Sequence, residues 1–229
     1  VVGHKMKINI AIDGPGAAGK STIAKCLAKK LNYVHLDTGA MYRSTAYKAL
    51  QNHICLEDEE AVCKMLEHTK IQLLIDGSIL LDGQDVSDKI RTNEISLAAS
   101  LVSKLANVRR MLVARQQEMA KEKGFIMDGR DIGTVVLKDA EVKIYMTATP
   151  MARAKRRYDQ NIAKNIPTGS IEEIAKEIAE RDLQDMTRAN SPLKKADDAV
   201  EIDTSDMSIE EVTERIYDLA KPFIEKEVL

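Results

Sequence analysis

The stretch Gly14-Pro15-Gly16-Ala17-Ala18-Gly19-Lys20-Ser21 fits the pattern GxxxxGK[ST], and its flanks give the pattern a physical meaning. Before it, the apolar run Ile8 to Ile12 ends at Asp13. After it, Thr22 to Leu31 carries apolar residues at helical spacing through Ile23, Leu27 and Leu31. The order is strand, glycine-rich turn, helix. In that setting glycines let backbone N–H groups turn inward around phosphate oxygens, and the helix N-terminus adds a positive dipole. Lys20 then reaches the β- and γ-phosphates of a nucleoside triphosphate, and the Ser21 hydroxyl is offered to Mg²⁺. Gly14, Pro15, Gly16, Ala17, Ala18, Gly19, Lys20, Ser21 and Thr22 form the candidate ATP site.

Working outward, Tyr33 to Leu36 reads as a second short strand running into Asp37-Thr38-Gly39, and Met41 to Leu50 as a helix. Phe125 to Met127 returns to the sheet, Val142 to Met146 is a further buried strand, and Val200 to Ile202 makes a fifth core strand. This α/β alternation predicts a P-loop NTPase-type sheet of five parallel strands flanked by helices. Residues 57–87 break the rhythm with a helix and two apolar runs on either side of Asp76-Gly77, a hairpin signal, so a small antiparallel insert interrupts the core. Two helices follow, Thr92 to Leu105 and Val108 to Lys123, with Gly124 placed to end the second. Thr149-Pro150 reads as an N-cap with proline at the first helical position. Ser170 with Glu173 and Ser208 with Glu211 match capping boxes that start two more helices.

The balance of 34 Lys and Arg against 36 Asp and Glu leaves no global basic field for a nucleic-acid polymer. Aromatics at 3% with no Trp argue against base-stacking platforms for single strands, so the ligand is a single nucleotide or smaller. Cys26, Cys55 and Cys63 show neither CxxC nor His partners at zinc spacing, and they read as reduced, mostly buried thiols. No apolar run nears the roughly 18 residues needed to cross a bilayer, and no secretory stretch opens the chain. The expectation is a cytoplasmic protein with no membrane partner. Val1 to Lys5, ahead of Met6, read as a tag remnant.

A P-loop alone does not separate GTPase, motor, transporter and small-molecule kinase. An NKxD-type base-reading segment is missing, and several arginines instead stand next to carboxylates, which suits a second anionic ligand. Gly14 to Thr22, Leu36-Asp37-Thr38-Gly39-Ala40-Met41-Tyr42-Arg43, Ile90-Arg91-Thr92, Asp128-Gly129-Arg130-Asp131-Ile132-Gly133-Thr134 and Arg181-Asp182 through Arg188 together resemble the bacterial cytidylate kinase family. The resemblance runs from about Met6 to the C-terminal helix. It implies a nucleoside monophosphate kinase fold with a core of about 6–37, 107–149 and 189–229, an acceptor-binding insert of about 38–106 and a short lid of about 150–188. It implies ATP- and Mg²⁺-dependent phosphoryl transfer to CMP or dCMP by a monomer.

The resemblance also carries roles. It gives Thr38, Arg43 and Arg130 to the acceptor phosphate; the family often has Ser where Thr38 stands, and the hydroxyl is kept. A hydroxyl and two guanidiniums can hold a dianionic phosphate in line for transfer. It gives Ser100, Arg109 and Asp131 to the base, and a carboxylate for the exocyclic amine with a cation for the acceptors complements cytosine. In a closed pocket such a trio should disfavour UMP by at least about tenfold, because an unpaired donor or acceptor costs about 1–3 kcal/mol. Arg181 and Asp185 fall to the acceptor sugar and Arg188 to the phosphate region; spacing alone makes these three one face of a helix, which an exposed ion-pair stripe would also satisfy. Arg153, Arg156 and Arg157 resemble lid arginines, with Lys20, Arg130, Arg153, Arg157 and Arg188 as the catalytic set. Asp37 or Asp128 is the candidate to support Mg²⁺ through water. Acceptors such as UMP, dTMP or shikimate require the base-reading trio to be misassigned.

Overall fold

Strand β1 (Ile10–Asp13) is buried along its whole length, as a strand covered on both faces by helices must be. The computed structural model describes residues 6–187 and 189–225, apart from the side chains of Asn93, Ser96, Arg181 and Gln184. Val1 to Lys5 and Arg188 lie outside the described residues. The main sheet has five strands in the order β2 (Val34–Asp37), β6 (Phe125–Gly129), β1, β7 (Val142–Thr147) and β8 (Val200–Asp203). β1 runs parallel to β6 and β7, and β7 runs parallel to β8. A smaller antiparallel sheet joins β3 (Ile71–Leu73), β4 (Ile79–Leu81) and β5 (Gln84–Asp85), adding a third strand to the expected hairpin.

The chain folds as two compact units. The second is Tyr33–Lys123, and the first is made by the chain on either side of it. The second unit is thus larger than the acceptor-binding insert expected at about 38–106, since it takes in β2 and the long helix α5 (Ala106–Ala120).

In the first unit α1 (Lys20–Leu31) packs on β6 and on α8 (Ile209–Ile224). Ile10, Ile12, Leu27, Ile126, Met127, Ile144 and Ile216 are buried between these layers. Each such side chain contributes about 1.5–3 kcal/mol by leaving water. Helices α6 (Pro150–Ala163) and α7 (Ile171–Thr187) pack against each other as a pair. Their starts obey the local chemistry. Thr149 accepts from the Ala152 N–H at 3.2 Å with Pro150 in the first turn, and Ser170 and Glu173 exchange reciprocal bonds at 2.9 and 3.2 Å. Ser208 and Glu211 form a full capping box on α8.

In the second unit α2 (Thr38–Gln51) packs on α4 (Asn93–Val102) around Ala46, Ala98, Ala99 and Val102. α3 (Glu59–Glu67) packs on α5. The thiols are not mostly buried: Cys26 and Cys55 are exposed and Cys63 is half-buried, Cys26 lying off the buried Ile23-Ala24-Leu27 stripe of α1. Several helix boundaries differ from the expectation, α4 closing at Val102 instead of Leu105 and α5 opening at Ala106 instead of Val108. Two others have a plain cause. α2 begins at Thr38 rather than Met41 because the Asp37 side chain caps it, accepting from the Ala40 N–H at 3.0 Å. α5 ends at Ala120, short of Lys123, and Gly124 is not its terminator. The Gly124 N–H donates to Ile8 O at 3.0 Å and starts the entry to β6.

Candidate active site

The turn from β1 into α1 depends on glycine at two points. Gly14 has φ 153°, and a Cβ there would lie 2.1 Å from the Met146 carbonyl oxygen of β7. Gly19 caps α1 from the left-handed region, φ 90°, without a side-chain cap bond, so the first N–H groups of the helix stay open to an anion. Ala17 takes φ 58°, an uncommon conformation for a residue with a side chain and one that concentrates at ligand-holding loops.

Lys20 is buried, and its Nζ donates to Pro15 O at 2.7 Å across the loop. Burial, and then the Arg130 guanidinium, bring its pKa down to about 7, while the carboxylates of Asp128, Asp13 and Asp185 pull the other way. Ser21 Oγ donates to Asp128 Oδ2 at 2.8 Å. Strand register puts Asp128 there, since Ile12 of β1 pairs with Asp128 of β6 and Asp13 with Gly129. One hydroxyl and one carboxylate are an all-oxygen pair that suits Mg²⁺, a hard cation that keeps several waters and completes its shell with substrate phosphates. No cluster of three or more His, Cys, Asp or Glu able to enclose a metal occurs among the described residues. In the second unit both oxygens of the other candidate, Asp37, are engaged: Oδ1 by the Ala40 N–H and Oδ2 by Arg43 Nη2 at 2.8 Å.

Beside the loop stands Arg130, with Nη2 3.5 Å from where a Gly16 Cβ would sit and Nε donating to Asp185 Oδ2 at 2.7 Å. Arg153 is buried: Nη1 donates to Gly16 O at 3.2 Å, Nε to Ala148 O at 2.9 Å, and Nη2 pairs with Asp182 Oδ2 at 2.7 Å. Asp182 and Asp185 are three residues apart on α7, so one helix face holds both arginines. Arg156 donates to Thr204 Oγ1 at 3.1 Å. Arg157 is exposed and lines a small hollow with Gly16, Ala17 and Asp182. Asp131 is buried directly after Arg130, where the chain enters a single π-helical turn over Ile132–Val136. Asp185 lies on α7 at 17% side-chain exposure; Arg181 lies on the same helix, its side chain among those not described.

The remaining candidates belong to the second unit. Thr38 opens α2, and Arg43 folds back from the next turn onto Asp37. Glycine at 39 leaves room for this, because a Cβ there would sit 2.9 Å from Arg43 Nη1 and 3.2 Å from Asp37 Oδ1. Arg43 Nε is buried and finds no acceptor among the described residues. Arg109 on α5 lies over the Tyr42 ring, 5.6 Å from its centroid, and reaches Ser103 O at 3.4 Å. Ser100 is exposed on α4.

In the first unit, two residues without a role assigned from sequence stand beside the phosphate loop and Arg130-Asp131. Asp13 is 3% exposed and accepts from the N–H groups of Ile132 at 2.8 Å and Gly133 at 2.7 Å. Burial pushes its pKa up to about 6 against those two bonds. Its one sequence signal was its place at the strand end, next to Gly14. Asp182 carries no sequence signal beyond its place next to Arg181.

A glycine-turned anion cradle, a buried lysine, a Ser–Asp oxygen pair and flanking arginines on a parallel sheet define a P-loop nucleotide-binding protein of the phosphotransferase kind. The family model described as "Cytidylate kinase" matches residues 10–222, and the chain belongs to that family. It is 51% identical over 215 residues to the "Cytidylate kinase" of a Geobacillus species, covering 93% of this chain and 96% of that one. It is also 51% identical over 225 residues to that of Caldicellulosiruptor saccharolyticus, covering 97% and 99%. An uncharacterized protein from Eubacterium ventriosum shares the fold, with a TM-score of 0.53 at 14% identity over 95% of this chain and 99% of that one.

Proposed function

We propose that this chain transfers the γ-phosphoryl group of ATP to CMP, and to dCMP, giving ADP with CDP or dCDP. The observation that carries the reading is Arg130-Asp131 set against the P-loop, a guanidinium beside Gly16 followed at once by a buried carboxylate, in a chain of the cytidylate kinase family. The guanidinium suits an anionic acceptor, and the carboxylate suits an exocyclic amine.

The acceptor oxygen of a nucleoside monophosphate is already ionised near neutral pH, so no side chain has to act as a strong base. Catalysis is positioning and charge stabilisation. The N–H groups of residues 16–20 and the Lys20 ammonium hold the β- and γ-phosphates. Ser21 with Asp128 would hold Mg²⁺; Asp37 is less suited, being committed to its cap and to Arg43. When bound, the cation neutralises charge shared between the β- and γ-oxygens. Arg130 keeps the acceptor phosphate in line, and Arg153, Arg157 and Arg188 neutralise the equatorial oxygens as transfer proceeds. Asp131, Ser100 and Arg109 read the base, Arg181 and Asp185 the sugar. Thr38 and Arg43 take the acceptor phosphate, a role supported by the unsatisfied donor at Arg43 Nε. Asp185 would favour CMP over dCMP through the 2′-OH. The enzyme works as a cytoplasmic monomer on small molecules; no helix among the described residues is long and apolar enough to cross a membrane.

The test is Arg130→Ala. Removing a guanidinium that keeps the acceptor phosphate in line costs on the order of 10²–10³ in kcat, and the CMP KM rises while ATP affinity moves little. Unchanged CMP kinetics would overturn the assignment.

A further inference from the structure

The π-helical turn Ile132–Val136 follows directly on Arg130-Asp131 and begins with N–H groups that no earlier turn of helix can satisfy. Farther along, the turn supplies its own bonds. The Val135 and Val136 N–H groups donate to Asp131 O at 2.9 and 3.2 Å, and the Leu137 N–H donates to Ile132 O. The first two N–H groups, of Ile132 and Gly133, are taken by a carboxylate from another strand, Asp13. Asp13 is the last residue of β1, and Gly14 of the phosphate loop is its chain neighbour. One buried side chain therefore ties the start of the phosphate loop to the backbone that carries Arg130 and Asp131. The joint is closely fitted on both sides: a Cβ at Gly133 would lie 3.3 Å from Asp13 Oδ2 and 3.2 Å from Lys143 Cδ.

We infer that Asp13 is a positioning residue for the acceptor: by holding the N–H groups of Ile132 and Gly133 it fixes where Arg130 and Asp131 present their side chains relative to the phosphate loop. It touches neither substrate. Its effect falls on how well the acceptor is gripped and how sharply its base is read. This rests on the reading of Asp131 as a base-reading residue.

Asp13→Asn keeps the size of the side chain but replaces one acceptor oxygen with an NH₂ group that faces an N–H donor. One joint becomes two donors in contact, and a buried donor is left unsatisfied. An unsatisfied buried donor corresponds to roughly a tenfold effect or more. Gly133→Ala disturbs the same joint from the other side, at a position with ordinary φ, and gives a second readout if Asp13→Asn folds poorly. Steady-state kinetics with CMP, UMP and ATP on both variants, beside Asp131→Asn, make the test. The inference expects the CMP KM to rise about tenfold or more, the ATP KM to stay within about twofold, and the preference for CMP over UMP to fall. Equal movement of the CMP and ATP constants marks a merely structural role and overturns it, as does an unchanged CMP KM in both variants. If Asp131→Asn keeps the full preference for CMP, the base-reading assignment has failed, and the inference falls with it; a lost preference in Asp131→Asn alone sinks the inference and leaves the assignment standing.

Discussion

Lys20→Met should make the protein more stable while stopping phosphoryl transfer. Lys20 is 6% exposed, and its pKa falls from 10.5 in the unfolded chain to about 7 in the fold. The folded-state value lies below the unfolded one, so between pH 7 and 10.5 the unfolded chain binds more protons than the folded chain. The contribution of Lys20 to stability is therefore lowest at and below about pH 7 and rises as the pH climbs toward 10.5. A shift of about 3.5 units at 1.36 kcal/mol each corresponds to a cost of about 5 kcal/mol on the acid side. Methionine keeps the length and apolar stem but leaves Pro15 O without its 2.7 Å bond, which returns about 1–3 kcal/mol of that gain. The net is about 2–4 kcal/mol, or a Tm about 4–16 °C higher for a chain of this size. Calorimetry at pH 6.5 and 9.5 is the assay. The variant should melt above the parent at pH 6.5, the gap should narrow at pH 9.5, and turnover should fall by on the order of 10²–10³. A variant that melts at or below the parent at pH 6.5, or a gap independent of pH, refutes the reasoning that this ammonium is kept for function against the stability of the fold.

Two further perturbations follow from the same geometry. Asp128→Asn removes the carboxylate 2.8 Å from Ser21 Oγ, and the Mg²⁺ concentration for half-maximal rate at fixed ATP should rise by about 10–100-fold in a magnesium titration. Gly14→Ala drives a Cβ against Met146 O at 2.1 Å from a backbone with φ 153°, so calorimetry should show a Tm lower by roughly 5–10 °C and titration should show ATP binding lost.

The parts of the fold legible in the sequence are those set by chemistry within a few residues. The Thr149-Pro150 start of α6, the reciprocal Ser–Glu caps at 170 and 208, and the apolar runs of β1, β6 and β7 are of this kind. The P-loop was legible for the same reason, since its glycines, lysine and serine act through their own backbone. What stayed hidden are contacts that only the folded sheet brings together. Ser21 meets Asp128 across 107 positions, and Asp13 meets Ile132 and Gly133 across 119 and 120. The lid arginines show the limit in another way. As a sequence, Arg153, Arg156 and Arg157 are one basic group, but helix phase buries Arg153 against Gly16 O and Asp182 and leaves Arg157 exposed. The end of α5 is hidden in the sequence because Gly124 serves the approach to β6 instead of the helix before it.

The central claim is that the acceptor is a cytosine nucleotide, and the most direct measurement is ADP release with ATP and Mg²⁺ against CMP, dCMP, UMP, dTMP, AMP, GMP and shikimate in parallel. CMP and dCMP should stand at least about tenfold above every other acceptor in kcat/KM. If UMP, dTMP or shikimate matches or exceeds CMP, the roles given to Ser100, Arg109 and Asp131 are contradicted, and ADP release that needs no acceptor at all contradicts the kinase account itself.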